Sequence, residues 1–152
     1  MSGTICRTVL LIEGNAQEAA SIREMLRPPG SHAFELAHVE AVSEAMTHLT
    51  EHVMHVILLD LGSAGVEGKD TLRQVRQAAP RVSIVLRFSL AAKPMARQAM
   101  RDGAQDYLIK GEMQSQELVR ALENAIERKA IEESLFEEKE RAQVTLDSMA
   151  TQ

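Results

Sequence analysis

Three short apolar runs in this chain each end on a charged residue, and this pattern is the strongest constraint on its fold. Glu13, Asp60 and Lys110 each directly follow one of these runs. Short apolar runs of this kind are typical of strands buried on both faces of a parallel sheet. Parallel strands end at a common edge, where open α/β folds bind their ligands. The three charges therefore predict one polar site at that edge.

Helix-like segments alternate with five strand-like segments along the chain. The predicted strands cover residues 8–12, 34–39, 56–60, 82–86 and 106–109. Four helices are predicted before the last one. The first starts after Asn15 and the second covers residues 42–49. The third follows a loop containing Gly62, Gly65 and Gly68, and the fourth runs from Pro94 to Gly103. Apolar residues three and four positions apart favour these helices. The alternation predicts a parallel sheet with right-handed crossovers and helices on both faces.

The last predicted helix begins near Ser115 and meets no Pro or Gly before Gln152. A helix of that length is about 55 Å long, which is more than a compact sheet covers. Beyond Lys129 the sequence is rich in charged residues, with apolar residues spaced in threes, fours and sevens. We therefore expect a domain at residues 1–129 and a helical extension at 130–152, which pairs as a coiled coil or frays.

Composition excludes several classes of protein. The net charge of −5, without a basic cluster, argues against nucleic-acid binding. No apolar segment is long enough to cross a membrane, and the N-terminus lacks a signal-peptide pattern. Cys6 is the only cysteine, which favours a reducing compartment, and the five histidines show no metal-ligand spacing. We therefore expect a cytoplasmic protein.

Over roughly residues 7–129 the chain resembles a receiver domain of bacterial two-component response regulators. The resemblance depends on the order and spacing of four features: residues 9–13, residues 56–62, Gly68, and residues 103–112. It implies a flavodoxin-like, doubly wound sheet of strand order 2-1-3-4-5. It also implies a non-enzymatic signalling module whose partner is a histidine kinase or a phosphotransfer protein.

The resemblance assigns a role to several residues of this chain. It implies that Asp60 accepts a phosphoryl group, that Lys110 binds the product, and that Tyr107 changes rotamer on activation. Mg²⁺ would be held by Glu13, by Asp60 and by the backbone of Gly62. A carboxylate can form an acyl phosphate, and a divalent cation neutralises charge on the phosphoryl oxygens.

Two positions depart from the family pattern. Gly14 stands where a second acid normally ligates the metal, so we expect Mg²⁺ binding to be weak or absent. By its distance from Lys110, the position of the switch hydroxyl falls on Phe88, which offers no hydrogen bond. Ser89 would replace that hydroxyl only if the strand slipped by one residue, against its period-two alternation.

These departures leave three hypotheses. The chain is a phosphorylated receiver that passes its signal through the last helix to an output domain, or a phosphorylation-independent pseudo-receiver for dimerisation or protein interaction. An enzyme with a similar sheet is disfavoured, since no glycine-rich phosphate loop follows Glu13. We expect a homodimer formed by the last helices or by the face of the fourth helix, fifth strand and last helix.

Two polar residues each have two possible interpretations. Asn15, followed by Glu18 in the pattern of a capping box, is interpreted as a helix N-cap, with metal binding as the alternative. Arg87 stands in an otherwise apolar strand, at its exposed end or in contact with a partner.

Overall fold

Five parallel strands form one sheet in the computed structural model, which describes residues 7–26, 34–62, 65–89, 101, 104, 106–111 and 114–150. The strands are β1 Arg7–Ile12, β2 Phe34–Val39, β3 Val56–Gly62, β4 Ser83–Phe88 and β5 Asp106–Ile109. Their order in the sheet is β2-β1-β3-β4-β5, and each neighbouring pair is parallel. The predicted doubly wound, flavodoxin-like sheet is therefore confirmed.

Four helices flank or extend from this sheet in the described residues. They are α1 Ala16–Met25, α2 Val42–Glu51, α3 Gly65–Ala78 and the last helix, α4 Ser115–Ala150. The helix predicted for residues 94–103 lies outside the described residues, apart from Arg101, which is helical. The expected loop before α3 is wrong at all three of its glycines, because Gly62 is the last residue of β3 and Gly65 and Gly68 are already part of the helix.

Alternate residues of the strands enter two separate cores, one on each face of the sheet. Leu10, Leu59 and Leu86 pack with α2 and α3 on one face. Val9, Leu58 and Val85 pack with α1 and the first turns of α4 on the other. This period-two alternation decides which face each later strand residue occupies, including the polar residues at the strand ends.

The fourth strand is longer than the sequence predicted. It continues past Leu86 to Phe88, so that Arg87 lies within the strand and directly opposite Asp60 of β3. Of the two interpretations of Arg87, the exposed strand end is wrong, because only 5% of its surface is accessible. The strand can continue because carboxylates compensate the guanidinium charge, as described below.

The last helix changes environment along its length. Leu118, Leu122 and Ala125 are buried against the sheet, and the Ser83 hydroxyl donates a buried 2.6 Å hydrogen bond to the Ala125 carbonyl. Farther along, Ile131 and Leu135 are 52% and 60% exposed. This helix is too polar to cross a membrane, and no other helix in the described part of the chain is long and apolar enough to do so.

Candidate functional site

Side chains at the carboxyl ends of β1, β3 and β5 converge at one edge of the sheet. Glu13 follows β1, Asp60 lies near the end of β3, and Lys110 follows β5. The Lys110 Nζ is 2.8 Å from Asp60 Oδ1, and carboxylate oxygens of Glu13 and Asp60 lie within 4.8 Å of each other. The predicted convergence of these three residues is confirmed, while their chemical roles stay predictions.

Backbone contacts fix the ends of two of these strands. The Glu13 N–H donates to the Val39 carbonyl at 3.0 Å, and His38 Nε2 lies 2.7 Å from the Glu13 carbonyl oxygen. At the other side of the site, the Lys110 N–H donates to the Phe88 carbonyl at 2.8 Å. These hydrogen bonds tie the main chain of both residues, just beyond their strands, to the neighbouring strands β2 and β4.

A second glutamate, Glu18 in the first turn of α1, belongs to the same site. Its Oε2 accepts a hydrogen bond from Lys110 Nζ at 3.1 Å and lies 3.4 Å from Arg87 Nη1. One third of its side chain is exposed, so it forms the solvent side of the cluster. The sequence pattern around Glu18 indicates only a capping box and does not predict this position.

Asn15 places Glu18 by starting the helix. The Asn15 side-chain oxygen accepts from the N–H groups of Gln17 at 2.8 Å and Glu18 at 3.1 Å, which confirms it as the N-cap. The N–H of Asn15 donates to Glu13 Oε1 at 3.3 Å. Glu13 thus holds the N–H that Glu18 would hold in a capping box, and the Glu18 carboxylate contacts the cations instead.

Arg87 is the second cation of the site. Its Nη1 lies 3.4 Å from Glu18 Oε2 and 3.7 Å from Glu13 Oε2, and its side chain is 7% exposed. Directly paired residues of neighbouring strands project from the same face, so Arg87 and Asp60 are neighbours on the site face. The cluster therefore combines three carboxylates, one ammonium and one guanidinium.

Burial and mutual contact shift the pKa values of the two glutamates in opposite directions. Burial, followed by contacts with Asp60 and Glu18, raises the pKa of Glu13 to about 9. The hydrogen bond from Glu13 lowers the pKa of Glu18 to about 2; burial opposes this shift, and Lys110 and Arg87 reinforce it. The acids therefore share a proton that resides chiefly on Glu13 at neutral pH.

The pKa of Lys110 is raised. Burial alone would lower it, but hydrogen bonds and charge from Asp60 and Glu18 outweigh that effect. Lys110 is consequently an ammonium at every physiological pH, as binding of an oxyanion requires.

The three carboxylates of the site are donors of the type that a hard divalent cation such as Mg²⁺ prefers, but two of them also contact Arg87. Oxygens of Glu13, Glu18 and Asp60 all lie within 4.8 Å of one another, and Mg²⁺ prefers carboxylates and water. Glu18 thus offers a third carboxylate, although Gly14 lacks the second acid of the family pattern. Gly62 ends β3 two residues after Asp60, beyond an irregularity in the β3–β4 pairing.

The predicted switch residues lie beside this cluster rather than within it. Phe88 is fully buried in the core on the α2–α3 face, opposite to the face that carries Arg87. The Tyr107 ring is 5.3 Å from the Phe88 ring at a tilt of 35°, and the residue is 39% exposed. Ser89, just beyond β4, is half-buried.

Comparison with known proteins gives the family of the chain. The profile of the response regulator receiver domain matches residues 9–123. The chain belongs to this family. Receiver domains are the signalling modules of two-component systems, and this chain is one of them.

Individual relatives agree with this assignment. Luminescence regulatory protein LuxO of Vibrio campbellii is 33% identical over 100 residues, covering 66% of this chain and 21% of that protein. Transcriptional regulatory protein ZraR of Escherichia coli is 24% identical over 102 residues, covering 67% and 22%. The chain thus spans about a fifth of these curated relatives.

A solved structure shows the same fold. The response regulator receiver domain protein from Clostridium thermocellum superposes with a TM-score of 0.70 at 25% identity. The superposition covers 82% of this chain and 98% of that structure.

Proposed function

We propose that this receiver domain accepts a phosphoryl group on Asp60 from a phosphohistidine of a histidine kinase or phosphotransfer protein. The 2.8 Å contact between Lys110 Nζ and Asp60 Oδ1 is the observation that carries this proposal. An ammonium held against the acceptor carboxylate stabilises negative charge that arrives with the phosphoryl group.

In the proposed reaction an Asp60 oxygen attacks phosphorus as the phosphorus–nitrogen bond of the donor breaks. The departing imidazole nitrogen keeps the electron pair of that bond, and the product is an acyl phosphate. Lys110 would donate to one phosphoryl oxygen, and the sheet edge would orient Asp60. Glu13, Glu18 and Asp60 are the residues that would hold Mg²⁺, which supplies charge neutralisation to phosphoryl oxygens when bound.

The test is covalent phosphorylation of the 152-residue chain. We expect incubation with phosphoramidate or acetyl phosphate, with and without Mg²⁺, to give an intact-mass increase of one phosphoryl group. The label should be lost in hydroxylamine, as expected for an acyl phosphate.

Two variants serve as controls for the phosphorylation experiment. Asp60→Asn should remove the labelling while leaving the fold intact. Asp106→Asn alters a half-buried acid that accepts a hydrogen bond from the Tyr107 N–H and is not a member of the carboxylate cluster, so labelling should persist. Absence of label on the wild type with either donor and with a panel of phosphorylated histidine kinases would refute the proposal.

A second function is favoured by the position of Phe88. A fully buried phenyl ring stands where spacing places the switch hydroxyl, so rearrangement of Tyr107 on phosphorylation lacks its usual hydrogen bond. The domain would then be a phosphorylation-independent interaction module. Titration with Mg²⁺ and beryllofluoride, followed by amide NMR, distinguishes the two, since saturable shifts at Asp60 and Tyr107 are expected only of the phosphorylatable receiver.

We further propose that the signal leaves through the last helix. Residues 1–129 would form the receiver, and residues 130–152 would connect it to an output domain or pair with a second copy of the chain. The exposure of Ile131, Leu135 and Phe136 supports a partner for this segment. A cytoplasmic location fits a histidine-kinase partner, and any enzymatic activity would belong to the output domain.

A further inference from the structure

Arg87 occupies an unusual position for a cation. It is 5% exposed, it projects from the same sheet face as Asp60, and its guanidinium contacts Glu13 and Glu18. Its Nε is buried without a hydrogen-bond partner among the described residues. A buried guanidinium is costly unless anions compensate it, so the carboxylates and Arg87 stabilise each other's burial.

The charge of the cluster shows what Arg87 contributes. Three carboxylates converge here, and Lys110 supplies one compensating charge. Binding of a metal by all three carboxylates requires every acid to be ionised, and in that state two negative charges would remain without Arg87, equal to the charge of one divalent cation. The guanidinium of Arg87, which belongs to β4, compensates one of these two negative charges.

Arg87 also contacts two of the carboxylates that a metal would need. Glu13 Oε2 and Glu18 Oε2 lie 3.7 Å and 3.4 Å from its Nη1, and both residues belong to the carboxylate cluster. A divalent cation bound there would lie within a few ångströms of a fixed positive charge. Repulsion at that distance is large even at an intermediate dielectric constant.

We propose that Arg87 is an internal counter-ion that replaces the charge-balancing role of a divalent cation, so that this site is assembled without metal and binds Mg²⁺ weakly. Arg87 is thus a specificity-determining residue for the cation. The proposal concerns the same cluster as the proposed function, but it requires no phosphoryl transfer. Gly14 is consistent with it, since an aspartate there would add a charge that Arg87 does not compensate.

Metal binding to the purified, metal-free 152-residue chain tests this proposal without any phosphoryl donor. Mn²⁺ binding is followed by electron paramagnetic resonance, and Mg²⁺ is measured by competition. We expect the wild type to bind with a Kd weaker than about 1 mM, and Arg87→Met to bind about tenfold or more tightly. Thermal unfolding should show the same contrast, with Mg²⁺ raising the Tm of Arg87→Met far more than that of the wild type.

Two control variants separate charge from other effects. Arg87→Lys keeps the positive charge and should bind Mn²⁺ as weakly as the wild type. Arg73→Met removes an equal charge from the exposed surface of α3, which packs on the opposite face of the sheet, and should also leave binding unchanged. Arg87→Gln is a second neutral variant and takes the place of Arg87→Met if that protein does not fold.

Two results would overturn the proposal. One is saturable sub-millimolar Mn²⁺ binding by the wild type. The other is equal affinity of the neutral variants and Arg87→Lys, because the charge of residue 87 would then not govern metal binding. Failure of Asp60 to accept phosphate, combined with the expected metal affinities, would refute the proposed function alone.

Discussion

Glu13→Gln tests the electrostatics of the site most directly. Glu13 is 2% exposed and its pKa is raised to about 9, so its carboxyl group is protonated in the folded protein at neutral pH. Glutamine has nearly the same shape and is neutral at all pH values. The substitution should therefore preserve the fold and remove the part of the pH dependence of the free energy of unfolding that comes from Glu13.

The sign and size of that term follow from the pKa. An unfolded glutamate loses its proton near pH 4.5, whereas folded Glu13 keeps it to about pH 9. Between those values the folded state binds more protons, so its stability falls as pH rises, by about 1.4 kcal/mol per pH unit. From pH 5 to pH 7 the wild type should lose about 3 kcal/mol that Glu13→Gln does not lose.

The other two groups of the cluster with shifted pKa values, Glu18 and Lys110, do not titrate between pH 5 and pH 7. Glu18 has a lowered pKa, so it contributes stability that is present above pH 4.5 and lost as pH falls towards 2. Lys110 has a raised pKa, so its contribution is complete below pH 10.5 and is lost only above it. The difference in slope between the wild type and Glu13→Gln from pH 5 to pH 7 therefore reports on Glu13.

The measurement is urea unfolding of wild type and Glu13→Gln at pH 5, 6 and 7, followed by far-ultraviolet circular dichroism. Glu138→Gln, which changes an exposed acid on the distal part of the last helix, is the matched control and should follow the wild-type slope. Equal slopes for wild type and Glu13→Gln, or wild-type stability that rises from pH 5 to pH 7, would refute the reasoning.

Three further predictions concern the scaffold and the metal site. Ser83→Ala should cost about 1–2 kcal/mol in urea unfolding, because the Ala125 carbonyl loses its buried 2.6 Å bond; a cost near zero would contradict this. Gly14→Asp should fold, since a Cβ there lies 3.8 Å from the Glu40 carbonyl oxygen, and should tighten Mn²⁺ binding in the titration above; unchanged affinity would exclude residue 14 as a ligand position. Truncation after Lys129 should leave the urea midpoint unchanged, whereas a marked loss would place the domain boundary farther along the helix.

The fold was predictable because its main signal is local. A strand covered on both faces needs an unbroken apolar run, and the charged residue that follows marks its carboxyl end. Glu13 and Lys110 marked the ends of β1 and β5, and Asp60 lies near the end of β3. Parallel pairing then brings these ends together without further information.

The rest of the site depended on contacts that spacing does not specify. Glu18 enters because Asn15 starts α1 immediately after the β1 end, which turns its first-turn carboxylate towards Lys110. A glutamate at this helix position is equally compatible with a capping box. Only the position of β5 distinguishes the two arrangements.

The position of Arg87 in its strand indicates the face of the sheet from which it projects. It shares the period-two alternation of Ser83 and Val85, so it projects from the face that Val85 occupies. A base in that position, among predicted acids at the same edge, indicates a buried ion pair. Its low exposure could not be predicted, because it depends on the packing of α1 over the strand end.

The unbroken course of the last helix has a mechanical consequence. Its 36 residues form one rod, and among the side chains that the structure describes only those of the early turns are packed on the sheet. About 33 Å of backbone extends beyond residue 128, so a tilt of about 5° at the packed end displaces the far end by roughly 3 Å. Sub-ångström adjustments under the rod are thereby converted into movements as large as an atomic diameter at its tip.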